Sequence, residues 1–115
     1  TKDGTTIRDF IHVQDLVDIH IIAAESLMKS GENEIYNCGY GLGTSVKEVI
    51  KVLNKLLGFQ IKTKIGKRRP GDAKKVVSNI SKFYKYFSWK PKYNNLKLIL
   101  NSSLNWEKKL YKLLK

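Results

Sequence analysis

Two arginine-bearing stretches carry the residues best suited to chemistry. Arg8 lies within DGTTIRDFIHVQDLVDIH, from Asp3 to His20, and Lys67-Arg68-Arg69-Pro70-Gly71-Asp72 sets cationic side chains beside a carboxylate. A guanidinium offers its N–H donors as a planar fork that suits a carboxylate or a phosphate. Arg8 follows a turn at Asp3-Gly4-Thr5 and sits in the β-prone run of Ile7, Phe10, Ile11 and Val13. It is therefore held in the middle of an ordered element, where it needs an anionic partner. The second stretch reads as a loop from its Pro-Gly pair. Taken alone, it is either a solvated basic turn or part of an anion site.

The elements that must position these residues follow from patterning. Asp15 precedes an apolar-periodic segment and is the expected N-cap of a helix from about Asp15 to Lys29, with Gly31 as its C′ residue. Leu16, Ile19, Ala23 and Leu27 make this helix apolar almost all round, as in a helix covered by other elements. Ile35-Tyr36-Asn37-Cys38 is β-prone, and strand, helix, strand in that order predicts a parallel crossover. Gly39-Tyr40-Gly41-Leu42-Gly43 has the spacing GxGxG and not GxGxxG, with no acidic residue at the distance needed for a ribose. The glycines therefore read as a tight strand-to-helix junction and not as a dinucleotide loop. Ser45-Val46-Lys47-Glu48 is a capping box, opening a helix through Val49, Ile50, Leu53, Leu56 and Leu57 that Gly58 ends. Ile61 to Ile65 alternates as a half-exposed strand would, and Val76-Val77 suits another. A helix from about Ile80 to Phe87 stops before Ser88-Trp89-Lys90-Pro91, and a last one runs from about Asn95 to Leu114. One α/β unit over residues 1–115 is expected, with short strands and about three to four helices.

The wording of Asp3 to His20 resembles the stretch that opens the C-terminal region of UDP-glucose 4-epimerases, members of the extended short-chain dehydrogenase family. Related nucleotide-sugar dehydratases usually carry Trp and Tyr where this chain has Phe10 and His12. The resemblance extends through Ser88-Trp89-Lys90-Pro91, where Gly is usual at the first position, to a terminal helix with a Trp. It implies the substrate-binding C-terminal portion of an extended Rossmann-type, NAD(P)-binding fold, without the N-terminal NAD-binding domain. It also implies a pyrophosphate held by Arg8 and Arg69, ribose hydroxyls taken by Asp72, and a nucleotide base near Val46. Phe10 and Val76 complete the implied substrate-binding set. Val76 would line the sugar pocket, where family members with a bulky Tyr exclude N-acetylated sugars and smaller residues admit them. Arg8, Arg69 and Asp72 should then converge in space.

In such an enzyme NAD sits on a glycine-rich phosphate loop, and a Ser or Thr works with a Tyr-x-x-x-Lys pair. Neither is expected here, so no residue is assigned to catalysis and no cofactor is expected to bind this chain alone. Tyr86 to Lys90, Tyr93 to Lys97 and Tyr111 to Lys115 match the spacing, as a chain rich in both residues will by chance. Three functions remain open: the UDP-sugar-binding part of an enzyme interconverting UDP-glucose and UDP-galactose, inactive alone; a UDP-sugar-binding module that complements a separately encoded N-terminal half; and a basic interaction protein. UDP-N-acetylglucosamine is a further candidate ligand.

Composition narrows the remaining classes. The formal net charge of +12 would suit nucleic acid, but the lysines are spread along the chain with no zinc-finger or RNA-binding aromatic motif. A single cysteine, Cys38, leaves no disulfide framework or metal cluster, and it reads as a small buried thiol. His12 and His20 read as structural. The opening residues are polar, without a signal-peptide pattern, and no segment reads as a membrane span, so a cytoplasmic location is expected. Should the chain pack on a further domain, some helix faces would be exposed apolar patches here.

Overall fold

The computed structural model describes residues 1–115, with four helices and a three-stranded sheet in the order β2-β1-β3. Strand β1 is Ile7–Arg8, helix α1 Val13–Ser30, β2 Thr44–Ser45, α2 Val46–Leu57, β3 Lys75–Val76, α3 Ser81–Tyr86 and α4 Leu96–Leu113. Arg8 lies on the central strand: β1 pairs antiparallel with β2, Arg8 opposite Thr44, and parallel with β3, Arg8 opposite Val76.

Helix α1 starts two residues before the expected Asp15. Its N-cap is His12, whose Nδ1 accepts from the Gln14 N–H at 3.0 Å. A neutral imidazole offers one ring nitrogen as acceptor and can cap as an asparagine does. Asp15 is buried instead, 0% exposed, and accepts from the backbone N–H groups of Lys92 and Tyr93, each at 3.0 Å, and from the Tyr40 hydroxyl. Burial alone would raise its carboxyl, but these three donors outweigh it and hold the group below its ordinary range. The helix closes as expected, Gly31 at φ 70° donating to the Leu27 carbonyl.

Two expected strands do not form. Ile35 to Cys38 joins no ladder, and the parallel partner of β1 is β3, not this segment. The carbonyl of Ile35 instead accepts from Lys82 Nζ at 2.9 Å and that of Cys38 from Ser78 Oγ at 3.1 Å. Residues 61–65 are likewise unpaired, and Ile65 is 88% exposed. Alternation describes a strand's faces, but a strand also needs a neighbour for its backbone.

The capping box is present in full: Ser45 Oγ accepts from the Glu48 N–H at 3.2 Å, and Glu48 Oε2 accepts from the Ser45 N–H at 2.7 Å. Helix α4 is capped by Asn95, whose Oδ1 accepts from the Leu98 N–H at 3.2 Å, and α2 packs along it. The core is small and aromatic. Ile19, Tyr40, Phe83 and Trp89 form its centre, with edge-to-face contacts at 5.6 Å between Tyr36 and Phe83 and at 5.9 Å between Phe83 and Trp89. Burial raises the Cys38 thiol above its ordinary value, in keeping with an inert packed sulfur. The radius of gyration is 17.2 Å, well above the ~13 Å of a compact domain of about this length. Apolar side chains on α1 and α4 stay exposed in consequence, Met28 at 86% and Leu113 at 68%.

Candidate functional site

The loop before β3 folds back onto β1. Its turn closes with the Asp72 N–H donating to the Arg69 carbonyl at 3.3 Å, and Gly71 takes φ 78°, which a side chain would strain. Asp72 thereby meets both arginines. Arg8 Nη2 lies 2.8 Å from Asp72 Oδ1 and Arg69 Nη2 3.2 Å from Asp72 Oδ2, although Arg8 and Asp72 are 64 positions apart in sequence. Arg8 Nη1 also donates to the carbonyls of Ile7 and Ala73, at 2.8 and 3.0 Å, which fixes its plane. Arg68 donates to the Asp72 carbonyl at 3.0 Å. The Arg69 side chain is 84% exposed and free to turn toward an anion, whereas Arg8 and Asp72 are 31% and 23% exposed.

Arg68, Arg69 and Asp72 line a cleft of about 330 Å³ whose other walls include Thr5, Val46, Lys67 and Lys74, and Arg8 adjoins it through Asp72. A second clamp shapes the Thr5 and Val46 walls. Asp3 accepts from the Thr5 N–H at 2.9 Å, from Thr5 Oγ1 at 2.7 Å and from Ser45 Oγ at 2.5 Å, while Thr5 Oγ1 accepts from the Lys47 N–H at 3.2 Å. The Ser45 and Thr5 hydrogen bonds hold the Asp3 carboxyl far below its ordinary value. The turn of residues 1–6 is thus tied to the start of α2.

The remaining expected substrate residues are placed as follows. Val46, the first residue of α2, lines the cleft, and Val76, 53% exposed on β3, lies beside Arg8 and does not face the core. Phe10 lies apart, in a small cavity of about 170 Å³ with Tyr40, Leu96 and Ile99. His12 and His20 serve structure, His20 Nδ1 bonding the Leu16 carbonyl at 2.7 Å. None of the Tyr-x-x-x-Lys matches has both residues on one helix: Lys90, Tyr93 and Lys115 all lie outside α3 and α4.

The glycine loop is packed against protein. A Cβ on Gly39 would come within 2.5 Å of Asp9 Oδ2 and 2.6 Å of Ser78 Oγ, and one on Gly43 within 2.6 Å of Ile7 Cγ2. Only Gly41 has the left-handed backbone that a tight turn asks for, at φ 70°. Asp9 is the residue that sequence reasoning missed here. Its carboxylate accepts from the N–H groups of Tyr40, Gly41 and Ser78 at 3.1, 2.9 and 3.3 Å, binding the end of β1 to this loop and to the segment after β3. A carboxylate next to an arginine in a β-prone run was its only signal. Nowhere do three His, Cys, Asp or Glu side chains gather as a metal site requires, and no helix is long and apolar enough to cross a membrane.

Residues 1–39 match the model of the NAD dependent epimerase/dehydratase family. UDP-glucose 4-epimerase of Azospirillum brasilense is 42% identical over 110 residues, which is 96% of this chain and 32% of the relative. The chain belongs to the epimerase/dehydratase family. Among solved structures, the UDP-Glc/GlcNAc 4-epimerase of Campylobacter jejuni is 47% identical with a TM-score of 0.82, covering 95% of this chain and 33% of the other. A UDP-glucose 4-epimerase from Stenotrophomonas maltophila, solved with NAD and formylated UDP-arabinopyranose, superposes with a TM-score of 0.88 at 29% identity over 98% of this chain and 33% of that one. The chain thus spans about a third of the length of the epimerases it matches, which have a Rossmann-type fold.

Proposed function

We propose that this chain supplies the nucleotide-sugar-binding, C-terminal part of an epimerase acting on UDP-glucose and UDP-galactose. The observation that carries the reading is the meeting of Arg8 and Arg69 on Asp72 at the edge of a cleft of about 330 Å³. Two guanidinium groups within one carboxylate's reach of each other can also reach neighbouring phosphates of a diphosphate. An ionised carboxylate has about four lone-pair sites, so Asp72 keeps acceptor capacity for ribose hydroxyls while it holds both arginines. In this reading Val46 takes the base, with the hydroxyls of Thr5 and Thr6 and the charges of Lys67 and Lys74 in the same cleft, and Val76, opposite Arg8 on β3, takes the sugar. Phe10, which lines a separate small cavity with Tyr40, Leu96 and Ile99, completes the proposed substrate-binding set.

NAD does not fit the one glycine-rich loop of this chain, because the space over Gly39 and Gly43 is filled by Asp9, Ser78 and Ile7. Hydride and proton transfer then belong to the part of the family fold that the chain does not match, and the chain alone has no turnover with UDP-glucose and NAD. Its partner is that remaining, N-terminal part.

Titration calorimetry with UDP and with uridine tests the reading. Each charge-assisted bond lost in Arg8→Ala or Arg69→Ala should cost about 1.5 to 3 kcal/mol, so UDP should weaken by roughly 10- to 150-fold. Uridine, lacking the diphosphate, should be indifferent to both changes. Equal binding of UDP by the wild type and both variants would end the proposal.

A further inference from the structure

Helix α4 is covered along its first half only. Ile99 packs against the aromatic core and Leu100 is buried, whereas Trp106, Leu113 and Leu114 are 55%, 68% and 79% exposed. At about 100° per residue, Trp106, Leu110, Leu113 and Leu114 lie within about 100° of one another around the axis, on the side where Ile99 also falls. The apolar stripe therefore runs on past the part of the fold that covers it. Lys108, Lys109 and Lys112 occupy a second arc centred about 140° away, and none of them pairs with a carboxylate. Glu107, the one acidic residue in these turns, falls just outside the apolar arc. Two aromatic rings stand beside the ammonium groups: Lys109 Nζ is 6.0 Å from the centre of the Trp106 ring, and Lys115 Nζ 4.4 Å from that of Tyr111. Rings that are apolar in body and polar at one tip suit a boundary between hydrocarbon and water, and lysine stems reach from such a boundary to its wet side.

We infer that the last two turns of α4 lie on the surface of an anionic lipid bilayer. Trp106, Leu110, Leu113 and Leu114 enter the boundary of the acyl chains, and Lys108, Lys109 and Lys112 meet the headgroups. The helix rests in the interface and does not cross it, since no helix of the chain is long and apolar enough to span. Other occupants match the two arcs less well. Nucleic acid would engage the lysines and leave the leucines and Trp106 in water. A second copy would set lysines against lysines, with a net charge of +12 on each chain, and that same charge draws the chain to a negative surface. Neither the arginine cluster nor its cleft includes a residue of α4, so the bilayer surface is independent of nucleotide-sugar binding.

Cosedimentation of the whole chain with vesicles tests this, with phosphatidylcholine alone against phosphatidylcholine carrying about 30% phosphatidylserine. Binding should be about tenfold tighter or more on the anionic vesicles and should weaken as salt is raised. Trp106 emission should shift to the blue on binding, and Trp106→Phe should remove the shift, since Trp89 is already buried. The double variant Leu113→Ser, Leu114→Ser changes exposed positions, keeps the helical circular dichroism of the wild type and should weaken vesicle binding about tenfold. The triple variant Lys108→Gln, Lys109→Gln, Lys112→Gln should erase the preference for phosphatidylserine, and saturating UDP should leave vesicle binding unchanged. The inference is overturned by equal binding to both vesicles, by absence of the blue shift, by a leucine variant that binds as the wild type does, or by a lysine variant that keeps the preference. It is overturned equally by release from vesicles with UDP, which would assign the lipid phosphate to the arginine cluster, by self-association that buries Trp106, or by a blue shift with single-stranded DNA and none with vesicles.

Discussion

Asp15→Asn is the substitution that bears hardest on how this fold is held. Asp15 is wholly buried and its carboxylate receives three hydrogen bonds, from the Tyr40 hydroxyl and from the Lys92 and Tyr93 amides. Hydrogen bonds to a charged group contribute ~1.5 to 3 kcal/mol and neutral ones ~0.5 to 1.5, so neutralising the acceptor removes roughly 1 kcal/mol per bond. The asparagine also points its amide N–H₂ at one of three donors, while burial of a neutral group returns part of the loss. A net loss of about 2 to 4 kcal/mol follows, large against the ~6 to 17 kcal/mol expected of a chain this long. In urea, with a slope of about 1.5 to 2 kcal/mol per molar, the midpoint seen by tryptophan fluorescence should fall by ~1 to 2.7 M. The pH dependence has a definite sign. The folded-state carboxyl is held below its ordinary value, so its contribution is complete above the unfolded value of 3.8 and is lost as pH falls through the folded one. The gap between wild type and variant should therefore be full at pH 7 and shrink below pH ~4. A midpoint shift under ~0.3 M, or a gap unchanged at pH 2, would refute the account of Asp15 as the charged tie between α1 and the Lys92–Tyr93 segment.

Three further outcomes are expected. Burial, reinforced by the bond to Asp15, pushes the Tyr40 hydroxyl up to about 12, so stability it contributes below its unfolded value of 10.0 is lost as pH rises toward 12; Tyr40→Phe should lower stability at pH 7 by ~1 to 2 kcal/mol and flatten alkaline unfolding, read by circular dichroism. Gly39→Ala should cost ~1 to 3 kcal/mol in chemical denaturation, because its Cβ would sit 2.5 Å from Asp9 Oδ2 and displace the carboxylate from three amides. In a chimera joining this chain to the unmatched part of a relative, Val76→Tyr beside Arg8 should reduce kcat/KM for UDP-N-acetylglucosamine selectively over UDP-glucose; equal loss for both removes Val76 from the sugar pocket.

What sequence alone could convey depended on whether the physics was local. The Ser45–Glu48 box and the Gly31 and Gly58 helix ends are written in short spacings, and each forms where expected. Ile35 to Cys38 and Ile61 to Ile65 have the side chains of strands, but strand formation is a property of two segments, and a β-prone run says nothing about whether its neighbour is present. Asp15 shows a subtler failure. An aspartate ahead of an apolar run looks like a cap, yet the same carboxylate is also the best available acceptor for amides 77 and 78 residues away, and that distant demand wins. His12 then takes over the cap, a role for which imidazole has little sequence signature.

The position of the arginine cluster follows from the same carboxylates. Its sheet has strands of only two residues, too short to fix side chains by ladder bonds alone, and the aromatic core around Phe83 and Trp89 forms separately from the Arg8, Arg69 and Asp72 cluster. Three aspartates supply the missing rigidity. Asp3 ties the first turn to α2, Asp9 ties β1 to the glycine loop and to Ser78, and Asp72 spans Arg8 and Arg69. Each replaces several weak ladder contacts by charge-assisted bonds to fixed donors, which keep their geometry at a partly solvated surface where packing is thin. A cationic cleft built this way can hold its shape before an anion arrives. Of the ten acidic residues against twenty-two basic ones, Asp72 positions the two arginines, while Asp3 and Asp9 fix the backbone around them.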